Sequence, residues 1–218
     1  AGCDLARLAG FEPAAVIVEI MSDDGSMARL PELKNIAKEH NIKIGTIEDL
    51  IKYRTKHEKT VIRKSESCIN TEYGEFNLVS YEDILSNTMH IALVKGSINS
   101  SKATFVRVHI QNTIKDILHS SHHSGWPLKN AMQRINKEGN GVILILRWNE
   151  SVNDIIGDIE KIKITNEPST QDFDRRTLGI GGQILSDLGV TKMNLLSSPK
   201  TFYGLGGYGL EIEKYITE

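Results

Sequence analysis

The residues best placed to do chemistry lie between positions 174 and 182. Asp174 and Arg176 are two positions apart, so in an extended segment a carboxylate and a guanidinium face the same side. The glycine-rich stretch 179–182 follows at the start of a predicted helix, where free backbone N–H groups can receive an anion. The alternatives are an exposed salt bridge for the charged pair, and a tight turn or close helix packing for the glycines.

Three histidines within five residues, His119, His122 and His123, suggest a second kind of chemistry. Zinc accepts imidazole ligands, but adjacent histidines seldom point at one centre, and only His119 and His123 have the i, i+4 spacing of a helix. The neighbouring serines and Gly125 favour a polar loop instead. The sequence leaves both interpretations open.

Glu19 is a third candidate, because it lies inside the apolar, β-branched run 13–21. Burying a carboxylate is costly unless the group is paired or hydrogen-bonded. Glu19 is therefore either a catalytic acid or a group that reaches solvent at the end of a strand.

The elements that position these residues form two groups along the chain. The first group has β-α-β-α order after an initial helix end, and its segments are 1–10, 13–21, 33–40, 42–46 and 47–57. The stretch 57–64 is rich in Lys, Arg, His and Glu and is predicted to be a linker. The predicted domains are therefore 1–56 and 65–218.

The second domain changes from β-rich to alternating order. Antiparallel strands are expected within 65–79, at 91–96 and at 104–109. A helix over 128–137 then precedes a continuous apolar run at 142–146 that suits a buried strand, and helix and strand alternate again after 178. The predicted class is α/β (α+β), with mixed β-sheets and flanking helices.

Composition limits the classes of protein. The chain has 218 residues, a net charge of -2 and 39% hydrophobic residues, which is ordinary for a soluble globular protein without a general attraction to nucleic acid. Neither a membrane span nor a signal peptide is indicated, so a cytoplasmic location is expected. Cys3 and Cys68 are expected to be reduced thiols.

Three segments of the first domain resemble the C-terminal end of 3,4-dihydroxy-2-butanone 4-phosphate synthase, namely 4–21, 24–33 and 43–54. The resemblance implies that Glu19 is an active-site residue of an enzyme that rearranges ribulose 5-phosphate with Mg²⁺. It also implies that the family's metal-binding histidine would precede Ala1. Residues 1–56 are therefore expected to be an inactive remnant of a longer synthase.

The second domain resembles GTP cyclohydrolase II, and the segments that carry the resemblance are 106–109, 137–142, 174–190, 195–200 and 207–212. By this resemblance Asp174 is the proton acceptor and Arg176 is the nucleophile toward the α-phosphate. Four further residues fall at substrate-contacting positions: Arg107, His109, Ser197 and Lys200. For Lys200, an ordinary surface lysine is the alternative.

The same domain departs from the family where zinc is bound. The family's Ser-Glu-Cys is replaced by Ile110-Gln-Asn112, so Asn112 holds the position of the first zinc ligand. The other two ligands belong to a Cys-Asp-Cys, where this chain has the stretch 122–125. A substrate-contacting Gln-Glu-Gly-Arg is replaced by the stretch 148–151. The resemblance therefore implies a domain without zinc and without cyclohydrolase turnover.

The expected function is riboflavin biosynthesis, in which the parent protein makes 3,4-dihydroxy-2-butanone 4-phosphate and this chain alone is inactive. The alternative is a dimerisation or regulatory module that binds a nucleotide or a flavin and supports the synthase. A homodimer is expected, as in the family, with no nucleic-acid or membrane partner. A histidine-ligated metal enzyme with an altered substrate is the third hypothesis.

Overall fold

Two units make up the chain, residues 1–54 and residues 55–218. The computed structural model describes residues 1–99, 101–118, 126–147, 150–164, 175–202 and 204–217, without the side chains of 55, 56, 115, 161–164, 175 and 176. Among these residues, no helix combines the length and the apolar character needed to cross a bilayer. Cys3 and Cys68 are free and exposed.

The first unit contains three helices, α1 (Gly2–Leu8), α2 (Leu30–Glu39) and α3 (Ile47–His57). Pro31 stands in the first turn of α2, where its missing N–H costs nothing. The hydroxyl of Thr46 accepts a 3.0 Å hydrogen bond from the backbone N–H of Asp49, which caps the start of α3. The predicted helices of this unit are thus confirmed, with shifts of a few residues at their ends.

The two strands predicted for the first unit, 13–21 and 42–46, do not form. Within the described residues 1–54, the only β pairing is an isolated bridge between Met21 and Met27. An apolar, β-branched run becomes a strand only beside a neighbouring strand that takes up its hydrogen bonds and covers its side chains. Without one among these residues, Val16, Ile17 and Val18 stay 95%, 86% and 82% exposed.

In the part of the second unit that the structure describes, seven strands form one mixed sheet in the order β1-β2-β3-β5-β4-β6-β7. The strands are β1 (Val61–Thr71), β2 (Gly74–Asp83), β3 (Thr88–Lys95), β4 (Thr104–Ile110), β5 (Gly141–Leu146), β6 (Lys192–Leu196) and β7 (Glu211–Ile216). Neighbours from β1 to β5 are antiparallel, whereas β5, β4, β6 and β7 run parallel. Because β1 begins at Val61, residues 61–64 belong to a strand and not to the predicted linker 57–64.

Among the described residues of this unit, four helices and one 3₁₀ helix accompany the sheet: α4 (Thr113–Ile117), α5 (Leu128–Glu138), α6 (Val152–Ile164), α7 (Arg175–Asp187) and the 3₁₀ helix Leu205–Tyr208. The predicted helix over 128–137 and the predicted class are confirmed. Helix α6 has no counterpart among the predicted elements. Its start is capped by Ser151, whose hydroxyl oxygen accepts a 3.2 Å hydrogen bond from the backbone N–H of Asp154, and by the Asp154 carboxylate, which accepts a 2.8 Å hydrogen bond from the backbone N–H of Ser151.

Both faces of β5 are buried. Val142 and Leu144 pack with Ile184 of α7, whereas Ile143, on the opposite face, packs with Ile135 of α5, and all five side chains are fully inaccessible to solvent. Successive strand residues point to opposite faces, so a continuous apolar run requires a cover on each side. The prediction of a buried strand at 142–146 is confirmed, and the sheet lies between α5 and α7.

The glycines at 179–182 lie inside α7 and not at its start. The helix begins at Arg175, so the free N–H groups of its first turn belong to residues 175–178. The anion-binding interpretation of the glycines is therefore wrong. Close packing explains one of them instead, because a Cβ on Gly182 would stand 2.7 Å from ring carbons of Tyr208.

A buried tyrosine connects the antiparallel strands to the end of α7. The Tyr81 hydroxyl donates a 2.9 Å hydrogen bond to Asp187, which also receives a 3.0 Å hydrogen bond from Nε of Arg63. Burial raises the pKa of the Tyr81 phenol well above its ordinary value, and the hydrogen bond to Asp187 adds to the rise.

Two neighbouring glycines of α7 give a matched test of this packing. Gly182→Ala is expected to lower the free energy of unfolding by about 1–3 kcal/mol, because the Tyr208 ring must shift. Gly181→Ala is expected to be neutral or stabilising by up to about 1 kcal/mol, because its Cβ would meet Leu144 and Leu146 at 3.7 and 3.8 Å and alanine favours the helix. Urea unfolding of both variants measures the difference. Equal effects would contradict the close approach of Tyr208.

The raised pKa of Tyr81 predicts a loss of stability in alkali. Above about pH 10 the unfolded chain releases the phenolic proton, whereas the folded chain still holds it. The stabilisation that Tyr81 contributes to the free energy of unfolding is therefore complete below about pH 10 and decreases as the pH rises further. Tyr81→Phe is expected to make unfolding free energy fall less steeply between pH 10 and 11. The exposed Tyr53→Phe is the control, and an unchanged slope in Tyr81→Phe would count against the assignment.

Candidate functional site

Polar side chains gather where the parallel strands end. Since β4, β5 and β6 run in the same direction, their carboxyl ends lie at one edge of the sheet, the usual position of a site in such sheets. The segments that leave this edge begin after Ile110, Leu146 and Leu196. Two predicted site residues of β4, Arg107 and His109, stand close to it.

The predicted substrate contact Arg107 takes part in the fold itself. Its Nη1 donates a 3.0 Å hydrogen bond to the backbone oxygen of Leu196, the last residue of β6. The guanidinium therefore links β4 to the segment that carries Ser197, another predicted contact.

His109 is buried and faces a carboxylate. Its Nε2 lies 2.9 and 3.0 Å from the two oxygens of Asp116, and its side chain is 9% exposed. Within the described part of the chain, Nδ1 of His109 is buried without a hydrogen-bond partner. Asp116 also accepts a 2.9 Å hydrogen bond from the backbone N–H of Asn112, so it closes the turn between β4 and α4.

Asn112 is 2% exposed and is held by a residue far away in the sequence. Its Nδ2 donates a 2.6 Å hydrogen bond to the carboxylate of Asp158 on α6. Next to it, Glu150 accepts hydrogen bonds from the backbone N–H of Thr113, at 3.1 Å to each oxygen, and from the Thr113 hydroxyl. The residue at the position matching the first zinc ligand thus donates through its amide nitrogen to a carboxylate.

An apolar cavity of about 50 Å³ lies beside this edge, between α7, the strands β4 and β6, and the segment 202–212. Arg107 and Ser197 line it together with mostly apolar side chains such as Leu178, Met193 and Phe202. Its volume is well below the roughly 300 Å³ at which pockets for drug-sized ligands begin.

The remaining predicted residues are scattered or lie outside the described part. Lys200 is exposed in the segment after β6, and Glu19 is exposed in the first unit. Asp174, His119, His122 and His123 lie outside the described residues, and so does the side chain of Arg176. The structure therefore brings together Arg107 and Ser197, which line one cavity, and it pairs His109 with Asp116; the catalytic or binding roles of Arg107, Ser197 and His109 stay predictions.

The predicted site residues do not include three carboxylates that lie at this edge: Asp116, Glu150 and Asp158. Each follows a strand that ends there, and acidic residues after parallel strands are a signal that could have singled them out. Among the described residues, no group of three or more His, Cys, Asp and Glu side chains is arranged to hold a metal ion.

Comparison with known proteins finds two families along the chain. Residues 62–217 match the family model of GTP cyclohydrolase II, and residues 1–53 match that of 3,4-dihydroxy-2-butanone 4-phosphate synthase. A 3,4-dihydroxy-2-butanone 4-phosphate synthase of Photobacterium phosphoreum is 48% identical over 218 residues, which cover 99% of this chain and 60% of that protein. The riboflavin biosynthesis protein RibBA of Cytophaga hutchinsonii is 40% identical over 227 residues, covering 99% of this chain and 56% of the relative.

A solved structure is similar over the whole of this chain. It is RibBX, a two-domain 3,4-dihydroxy-2-butanone 4-phosphate synthase from A. baumannii, with 39% identity and a TM-score of 0.60 over 100% of this chain and 58% of that one. The chain spans about 60% of the length of the curated relatives it matches. Over residues 62–217 the chain therefore belongs to the GTP cyclohydrolase II family, preceded at residues 1–53 by a segment of 3,4-dihydroxy-2-butanone 4-phosphate synthase.

Proposed function

We propose that this chain serves riboflavin biosynthesis as part of a 3,4-dihydroxy-2-butanone 4-phosphate synthase, and that its cyclohydrolase-like domain neither binds catalytic zinc nor hydrolyses GTP. The synthase reaction would use ribulose 5-phosphate and Mg²⁺, with Glu19 in the active site. The cyclohydrolase-like domain would then support the synthase without turning over a substrate of its own.

The observation that carries the proposal is the hydrogen bond from Asn112 to Asp158. Zinc in proteins is bound by thiolate, imidazole and carboxylate groups, whereas Asn112 has a neutral amide whose nitrogen donates to the Asp158 carboxylate. The side chain at this position therefore does not fit the first coordination position of the family. Without zinc there is no activated water to open the guanine ring.

The names of the relatives support the same proposal. The proteins from Photobacterium phosphoreum and Pseudomonas aeruginosa match 99% of this chain, at 48% and 44% identity, and both are called 3,4-dihydroxy-2-butanone 4-phosphate synthase. Those matches extend over the cyclohydrolase-like domain, yet the names give the synthase activity alone.

The alternative role, a regulatory module that binds a nucleotide or a flavin, has less support. Arg107 and Ser197 border the cavity beside β4 and could face such a ligand. However, the cavity is small and apolar, and the Arg107 guanidinium already donates to the Leu196 backbone.

The proposal predicts that the purified chain consumes no GTP above a protein-free blank, even with Mg²⁺ and excess zinc, and retains no stoichiometric zinc after gel filtration. An intact GTP cyclohydrolase II with its cysteine ligands is the positive control. Loss of GTP can be followed by ion-exchange chromatography and bound zinc by atomic absorption. Stoichiometric zinc together with turnover would refute the proposal and would direct attention to the stretch 119–125.

The proposed role of Glu19 has its own test in the longer synthase that would contain this chain. Glu19→Gln is expected to reduce conversion of ribulose 5-phosphate by about 10²–10⁴-fold, since a positioned acid or base contributes about that much. Glu12→Gln, at another exposed glutamate of the same unit, is the control. Wild-type activity in Glu19→Gln would remove this residue from the active site.

A further inference from the structure

A chain of hydrogen bonds joins the turn after β4 to the segment after β5. Asn112 reaches Asp158 of α6, Thr113 reaches Glu150, and Asp116 holds both the backbone N–H of Asn112 and the ring of His109. The Asn112–Asp158 and Thr113–Glu150 bonds connect residues 46 and 37 positions apart. We call these six residues the edge network.

Two polar residues of the edge network are buried. Asn112 is 2% exposed and the side chain of His109 is 9% exposed, so both side chains have left bulk water. A buried amide that donates to a carboxylate makes one of the stronger hydrogen bonds in a protein, and removing its partner leaves a costly unpaired group. The network therefore has to be intact for the turn to stay buried.

Asn112 lies at the position that matches the family's first zinc ligand. By the family resemblance, position 112 would carry a zinc ligand, and a metal at that place would cross-link the turn after β4 to other segments of the chain. Here the amide of Asn112 makes a cross-link to α6 instead. An amide is not among the thiolate, imidazole and carboxylate groups that usually bind zinc, so at this position the chain has a hydrogen-bonded cross-link in place of a metal ligand.

We propose that the edge network replaces the metal as the cross-link that holds the turn after β4, so that the domain folds and keeps its stability without zinc. This inference rests on the proposed function in one respect, because it takes position 112 not to coordinate metal. In addition, Asn112 and Asp158 hold the turn to α6, while Asp116 and Glu150 accept the backbone N–H groups of Asn112 and Thr113 within it.

The test exchanges the two partners of the central bond, with EDTA present throughout. Asn112→Asp places two carboxylates in contact and is expected to lower the thermal midpoint most. Asp158→Asn leaves two neutral amides, which can still pair, and is expected to lower it less. The double variant restores an amide–carboxylate pair with reversed direction and is expected to recover at least half of the loss caused by Asn112→Asp.

Asn77→Asp is the matched control. The Asn77 amide also donates to a carboxylate, that of Glu66, but on the exposed surface of β2, where water screens the charges. Its thermal midpoint is expected to stay close to that of the wild type. If Asn112→Asp is no more harmful than Asn77→Asp, or if the double variant recovers nothing, the edge network is not the cross-link. If Asn112→Asp fails to fold, a folded double variant supports the proposal and an unfolded one opposes it.

A chelator titration separates this inference from the proposed function. The wild-type thermal midpoint is expected to be the same in EDTA and in excess zinc. A midpoint that falls in EDTA and returns with zinc would show that a metal holds the turn, and would overturn the inference. GTP turnover, measured on the same preparations, decides the proposed function, whereas the exchange of the two partners decides the edge network.

Discussion

Burial of the central strands on both faces is the constraint on which the second unit depends. Val142, Ile143 and Leu144 of β5 are completely inaccessible to solvent, so the strand needs α5 on one face and α7 on the other. Because β4, β5 and β6 are parallel, each chain segment that leaves them must cross over a face before it returns. The polar residues Asn112, Asp116 and Glu150 lie outside these layers, in the segments that follow the carboxyl ends of β4 and β5.

The position that matches the family's first zinc ligand lies at that edge. Zinc is usually bound by thiolate, imidazole or carboxylate groups, whereas Asn112 has an amide that donates to Asp158, and Asp116 accepts from a backbone N–H and faces His109. The edge network satisfies buried polar groups from within the protein.

The sequence predicts the elements that depend on local patterns and misses those that depend on distant partners. The apolar run 142–146 predicts β5, and Pro31 and Thr46 are residue types that favour the starts of helices α2 and α3. In contrast, the run 13–21 is apolar and β-branched, yet it forms no strand among the described residues, where its only β pairing is the isolated Met21–Met27 bridge. At the site, motif spacing placed Arg107 and His109 on β4, but no local pattern reveals that Asn112 pairs with Asp158, because that contact exists only after the sheet has formed.

The central claim, that position 112 carries a hydrogen-bonded cross-link and not a metal ligand, is tested most directly by anomalous diffraction at the zinc absorption edge, from crystals grown with excess zinc. The account predicts no anomalous peak within coordination distance of Asn112, and a side-chain nitrogen of Asn112 within hydrogen-bond distance of Asp158. A peak of full occupancy beside Asn112, with further ligands from the stretch 119–125, would contradict it.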